Sequence, residues 1–495
     1  MADGEARVCH QCFEDDFLKR EIRRKGSRDE CSYCGKTLVT LSLEEIADLF
    51  ESAIETHYEK TPSGPSEMEQ AMLHEGLMDF WYPDGQPVVD LIQEIGETSK
   101  EIAGDIRSLL EDRHSTREDY EMGNAIEFDS ESHYEGRAIP GGELDEEWPH
   151  FEHNLKTKSR YMSVTALKTL DKIFHGIEAH RTYQRTPVIV QAGPETALTT
   201  LFRARVFQSD EALFAALQRP ELSIGPPPPQ VAAAGRMNAR GIPVFYGATD
   251  RNVALAEVRP PVGSKVVVAQ FDIIRPLQLL DVEALRSLSV DGSVFDPQYL
   301  PRKQKAAFLS GLSEEITKPV MPDDETLNYI PTQVIAEYLA SLDKPRLDGM
   351  IYPSVQAGED TRNVVLFNKA AAVAKISRRE DISFDIRDYE NYESGPEIEY
   401  TVTEEFDSDY VAPEPKEPTL KQIMAEMNMV VDDREPALQL SETNVWVHHI
   451  KKVAITSEDY TVNRTSWDKK AFREFEKNQT ANPIMPSFPA DPIEI

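Results

Sequence analysis

Several things are scarce in this chain. No apolar run approaches the roughly 20 residues that cross a bilayer. The opening MADGEARVCHQC lacks the charged and apolar regions of a secretory leader. A soluble, cytoplasmic chain without a membrane partner is expected. Positive charge is short as well, with 53 Lys and Arg against 87 Asp and Glu, a formal net charge of −34. Such a field repels polyphosphates at long range, so a nucleic-acid partner is disfavoured, whereas a local basic pocket for a small dinucleotide is compatible with it. There is no GxGxxG and no Walker loop, which removes the commonest nucleotide-binding signatures. Hydrophobic residues make up 40%, below the globular norm, so part of the chain should stay unpacked. At 495 residues it is too long for one core and implies two or three domains.

Cysteine is rare and concentrated. All four lie in the first 34 residues, as Cys9-His-Gln-Cys12 and Cys31-Ser-Tyr-Cys34. Two CxxC turns separated by 18 residues each present two thiolates along one edge of a tetrahedron. They predict a structural zinc, since four protein ligands leave no open position. His10 sits inside the first turn as a bystander.

The periodicities divide the rest. A short helix is expected between the turns (Phe13 to Lys25), and Ser42 with Glu45 forms a capping box before Leu43, Ile46, Leu49, Phe50, Ala53 and Ile54. Amphipathic helix is expected at about 66–80 and 87–112. Residues 115–150 are acidic and poor in aliphatics and read as a loop, followed by a helix at about 162–180. From 186 onward short β-rich segments alternate with helices, giving strands near 186–191, 266–271, 278–280, 349–352 and 363–366. Between them come helices at 209–218, 250–258, 302–317 and 331–342. After 385 the chain turns acidic and Pro-rich, except for an apolar patch from Val445 to Ile455 that could add strands to a sheet edge. The expected organisation is a zinc knuckle (1–40), a helical bundle (41–150), a connecting helix and linker (151–190), a mixed α/β domain (191–385) and a largely irregular acidic extension (386–495). The fold class is α+β.

One segment concentrates chemistry: GRMNARGIPVFYGATDRNVALAEVRP, 235–260. It brings Arg236, Tyr246 and Glu257 into a strand-turn-helix unit, a cation, an aromatic and a carboxylate suited to gripping a charged dinucleotide and breaking its glycosidic bond. Bland alternatives exist for two of these and for a further candidate, Ser354, in DGMIYPSV at 348–355. Glu257 could belong to a solvated helix face, Tyr246 could be a core residue of a strand, and Ser354 after Pro353 could be a turn hydroxyl.

The segment resembles the core signature of the RES domain family, a toxin domain named for an Arg, a Glu and a Ser. LFRARVF at 201–207, YIPTQVIAEYL at 329–339 and DGMIYPSV at 348–355 extend the resemblance in the same order over about 195–375. CHQCFEDDFLKREI and CSYCG ahead of helices resemble the zinc-bearing helical domain fused to RES domains and grouped with HEPN bundles. The resemblance implies an ADP-ribosyltransferase-like fold and degradation of NAD+ by cleavage of the nicotinamide–ribose bond, through hydrolysis or phosphorolysis, in a toxin or defence role. It implies a catalytic set of Arg236, Tyr246, Glu257 and Ser354, with Arg203 lining the pocket and Asn363 a lesser contributor. Arg205 is the rival to Arg203 for the inward position. No base is placed to make Ser354 a nucleophile.

Other readings stand beside this one. The acceptor could be a macromolecule, making the enzyme an ADP-ribosyltransferase, or the pocket could only bind. Arg107 and His114, separated by six residues, match the RxxxxxxH spacing of HEPN ribonucleases and fall within about 20° on a helix, roughly 10 Å apart along its axis. Compact RES toxins are far shorter and act beside a DNA-binding antitoxin. Nothing here looks like that antitoxin, 280–328 reads as an insertion, and the acidic tail or the N-terminal bundle is a candidate regulator. A protein antitoxin is a possible partner.

Overall fold

The two CxxC turns are placed by a small antiparallel sheet. Strand β1 (Arg7–Cys9) delivers Cys9, and a single 3₁₀ turn ends at Cys12. Helix α1 (Asp16–Lys25) follows, its first turn capped by the Asp15 carboxylate accepting from the Leu18 N–H. Cys31 and Cys34 lie in the turn between β2 (Ser27–Glu30) and β3 (Thr37–Ser42), with β3 in the middle of the sheet. Gly35 closes that turn at φ +69°, a conformation most side chains resist. The expected capping box between Ser42 and Glu45 starts α2 (Leu43–His57).

The helix expected at 87–112 is two helices. After α3 (Val88–Gly96), Glu97 turns left-handed at φ 45° and its N–H bonds back to the Gln93 carbonyl. Ser99 then caps α4 (Lys100–His114) by accepting from the Ile102 N–H. The apolar period runs through the break and hides it, while the Gly-Glu-Thr-Ser sequence marks it as a C-cap followed by an N-cap. Phe13, Leu18, Ile22, Ile46, Phe50, Leu91, Ile106 and Leu110 form the core of this domain.

In the computed structural model the described residues are 6–115, 126–160, 163–356, 358, 361–393, 395–408, 410, 432–454, 456–464 and 466. Within the stretch expected as a loop, 116–125 fall outside them, and its far end holds helix α5 (Glu143–Thr157). Leu144, Phe151 and Leu155 are buried there and Trp148 packs beside them, an apolar stripe at helical spacing that the surrounding acids mask. Parts of the acidic extension (411–431) and the last residues also lie outside the described set, as does Ile455 of the apolar patch. Met1–Ile450 form one compact unit and Lys451–Ile495 a second, whose described residues contain no helix or strand.

Helix α6 (Val164–Phe174) leads into the sheet domain. Its strands are β4 (Ile189–Ala192), β5 (Thr200–Phe207), β6 (Phe245–Ala248), β7 (Lys265–Ile273), β8 (Leu277–Asp281), β9 (Gly349–Pro353), β10 (Arg362–Leu366) and β11 (Leu438–His449). Their order across the sheet is β11-β7-β5-β6-β10-β9-β8-β4, antiparallel except for β8 with β9. Alternation divides the side chains between two cores. Tyr246, Met350, Tyr352 and Val365 face α5, α6, α8 (Tyr299–Thr317) and α9 (Ile330–Ser341), while Phe245, Ile351, Val364 and Leu366 face the other layer. Strand β11 comes from the acidic extension and pairs along most of β7. The Val445–Val447 patch thus belongs to the sheet.

Candidate active site

Strands β5 and β6 share one paired position, Ala248 with Phe202. Beyond it they part, and a cavity of about 370 Å³ opens against both strands, the end of helix α7 (Arg251–Glu257), β9 and β10. Arg203, Arg236, Tyr246, Glu257 and Asn363 all line it, and Ser354 sits just behind Glu257.

Glu257 is the last residue of α7. The Asp250 side chain caps the other end, accepting from the Asn252 and Val253 N–H groups. The helix stops because Arg259 is left-handed (φ 43°) and Pro260 follows. Ser354 Oγ donates to Glu257 Oε1 at 2.6 Å, and Asn363 Nδ2 donates to the same oxygen at 2.8 Å. Both donors are buried. Two hydrogen bonds on one oxygen fix the carboxylate plane and leave Oε2 without a hydrogen-bond partner among the described residues.

Arg203 donates to the Tyr246 carbonyl at 3.4 Å and lies over the Phe245 ring at 5.2 Å, with no carboxylate partner among the described residues. Burial pushes its guanidinium down to about 10, still far above neutrality. Arg205 is exposed and donates to the Ser223 carbonyl at 2.7 Å. Residues two apart on a strand share a face, so alternation does not separate these arginines. Their position along β5 does, since only Arg203 lies where the strands diverge.

Arg236 donates to the Ile316 carbonyl at 2.6 Å and stacks over Tyr329 at 5.1 Å, again with no carboxylate partner among the described residues. The loop carrying it is clamped by Tyr246, whose hydroxyl donates to Asn238 Oδ1 and accepts from the Met237 N–H, both at 2.9 Å. Glycine is needed at 235, because a Cβ there would stand 2.7 Å from that hydroxyl. The Tyr246 hydroxyl is therefore committed to the loop. Burial first, opposed by the Met237 N–H and Arg203, raises it above the ordinary phenol range.

Two further groups face the cavity that sequence reasoning did not select. Tyr352 has no hydrogen-bond partner for its hydroxyl among the described residues, and burial, with Tyr246 and Glu257 nearby, keeps it a neutral phenol. Its neighbour in DGMIYPSV was the only signal. Arg259 lines the rim in its left-handed conformation, signalled only by the following pair of prolines.

Residues 200–387 match the RES domain, and residues 24–168 match HEPN/RES N-terminal domain 1. The chain carries a RES domain behind a HEPN/RES N-terminal domain. RES domains are associated with NAD-processing enzymes and with toxin–antitoxin systems. No curated protein matches the chain.

The N-terminal domain holds the four thiols together. The Sγ atoms of Cys9 and Cys12, Cys9 and Cys34, and Cys12 and Cys31 are 3.6, 3.5 and 3.6 Å apart. A tetrahedral zinc with Zn–S bonds of about 2.3 Å requires sulfur separations of roughly 3.8 Å, so the cluster fits that ion closely. His10 turns its Nδ1 to the Val39 carbonyl at 3.3 Å.

The Arg107/His114 pair in the same domain is differently disposed. Arg107 is bound to Glu111 at 2.6 Å and to the Phe128 carbonyl at 3.2 Å. His114 contacts Glu51 at 2.6 Å and Glu127 at 3.4 Å. Each group has its own acid, and an approaching phosphate would meet three carboxylates. This geometry gives the ribonuclease reading no support. No helix among the described residues is long and apolar enough to cross a membrane.

Proposed function

We propose that this chain degrades NAD+ by cleaving the bond between nicotinamide and ribose. The observation carrying the reading is the pairing, within one cavity, of a carboxylate held by two donors on one oxygen with two guanidiniums that have no carboxylate partner among the described residues. A dinucleotide diphosphate would supply the missing negative charge, and Arg forks suit its geometry. Arg203 and Arg236 are its anchors.

As the glycosidic bond breaks, its electron pair leaves with nicotinamide, which departs neutral, and positive charge develops on the ribose. Glu257 Oε2 meets that charge or holds a ribose hydroxyl, while Ser354 and Asn363 keep the carboxylate aimed. Water adds to the ribose carbon and loses a proton, giving ADP-ribose; inorganic phosphate in its place would give the phosphorylated sugar. Tyr246 acts through the Arg236 loop, and its ring walls the cavity. Cys9, Cys12, Cys31 and Cys34 would hold a structural zinc remote from this chemistry. A role as a toxin or defence effector, with a protein antitoxin or regulator, is part of the proposal and rests on the domain pair.

Nicotinamide release from NAD+ by the zinc-loaded protein, with and without phosphate, tests the reading. Glu257→Gln should lower kcat by about 10²- to 10⁴-fold. A folded protein that releases none under either condition refutes the activity, and release untouched by the substitution refutes the site. ADP-ribose appearing on added protein instead of in solution would make the enzyme a transferase.

A further inference from the structure

The segment after residue 290 joins the two domains physically. Phe295 leaves the sheet domain and is buried in the core of the N-terminal domain, its ring edge-on to Phe50 with centroids 4.8 Å apart. One turn later Tyr299 packs against His57 at 5.6 Å. There α8 begins and runs nineteen residues, a span of about 28 Å. Its last turn lies in the cavity wall, where the Ile316 carbonyl takes the hydrogen bond from Arg236. The chain then returns past Tyr329, under the same guanidinium, and Thr332 Oγ1 donates to the Arg236 carbonyl at 2.6 Å.

We propose that the N-terminal domain sets the aim of Arg236, with Phe295 as the anchoring residue and α8 as the rod. Since Arg236 has no carboxylate to hold it among the described residues, its direction is decided by the carbonyl at the end of α8 and by the ring of Tyr329, which the chain reaches just after that helix. The negative end of the α8 dipole favours a cation there. Ala306, Phe308, Leu309 and Leu312 pack α8 onto the sheet domain, so releasing Phe295 shifts its register without unfolding it. The N-terminal domain is then a part of the substrate site, although none of its described residues lines the cavity. The inference rests on Arg236 being a diphosphate anchor.

ADP-ribose binding by the full-length, zinc-loaded protein, measured by calorimetry, tests it through a double-mutant cycle. Phe295→Ala should weaken binding about tenfold, Phe295→Leu should restore most of the loss, and Phe295→Ala should add nothing once Arg236→Ala is present. Glu257-dependent kcat should change far less than KM. Binding within twofold of wild type in folded Phe295→Ala, or losses that simply multiply in the double variant, would overturn the coupling. If Phe295→Ala does not fold, Tyr299→Ala carries the same expectations. Wild-type protein that does not bind ADP-ribose would defeat the assignment of Arg236 itself, a different failure.

Discussion

Arginines are treated in opposite ways in the N-terminal domain and in the cavity, although elsewhere in the sheet domain they too find acids, as Arg362 does in Asp281 and Glu283. In the N-terminal domain Arg113 reaches Asp48 at 2.7 Å and Glu51 at 2.9 Å, and Arg107 has Glu111. In the cavity Arg203 and Arg236 have backbone carbonyls and aromatic faces instead. A chain with a net charge of −34 has no shortage of carboxylates to place beside them. Leaving a partly buried guanidinium without one costs solvation that a bound anion would offset. Charge that is neutralised marks architecture here, and charge held in reserve marks the site.

The largest effect that sharpens this contrast comes from the metal. Structural zinc sites bind with about 10–16 kcal/mol, and that energy is folding energy. Chelation, or Cys12→Ser, should unfold the N-terminal domain, seen as loss of helical circular dichroism together with release of one zinc per chain. A chain that keeps its fold and melting temperature after complete chelation would show the thiol cluster to be dispensable.

Next come the arginines themselves. Arg203→Ala removes charge-assisted hydrogen bonds worth about 1.5–3 kcal/mol each, so ADP-ribose affinity should fall roughly 10- to 100-fold with little loss of stability. Arg113→Ala, at an exposed ion pair, should leave affinity unchanged and alter stability by about 1 kcal/mol or less. Equal effects of the two on binding would erase the distinction between neutralised and reserved charge.

Much of this was legible in the chain because its signals are local. CxxC pairs, the Ser42–Glu45 cap and the alternating strands report themselves within a few residues. Gathering Arg203, Arg236, Glu257 and Asn363 around one cavity, with Ser354 behind Glu257, required the family resemblance, because strand order is a long-range property that no local period encodes. Three features escaped for physical reasons. The break at Glu97 lies inside a continuous apolar stripe, and the helix at Glu143–Thr157 hides its stripe among acids. The bridging role of Phe295 depends on a partner, Phe50, that is 245 positions away in sequence. Tyr246 was read as a group for the ligand, yet its hydroxyl is already spoken for by the turn it stabilises.

The smallest effect concerns pH, at the seam between the domains. His57 is buried against Tyr299, and its Nδ1 has no hydrogen-bond partner among the described residues. Burial, then the nearby Lys303 charge, lowers its pKa below the ordinary 6.5. The folded state therefore resists a proton that the unfolded chain accepts, and stability rises with pH wherever the unfolded state binds more protons. The contribution of His57 is complete above about 6.5 and is lost as pH falls from there toward its depressed folded value. Acidification should loosen the contact between the N-terminal domain and the start of α8 before it disturbs the cavity, raising amide exchange first at Val294–Lys303. His57→Gln, which cannot take up a proton, should flatten that dependence. Exchange that rises equally in wild type and His57→Gln would locate the acid sensitivity in other groups, the paired carboxylates of the N-terminal domain being the first to examine.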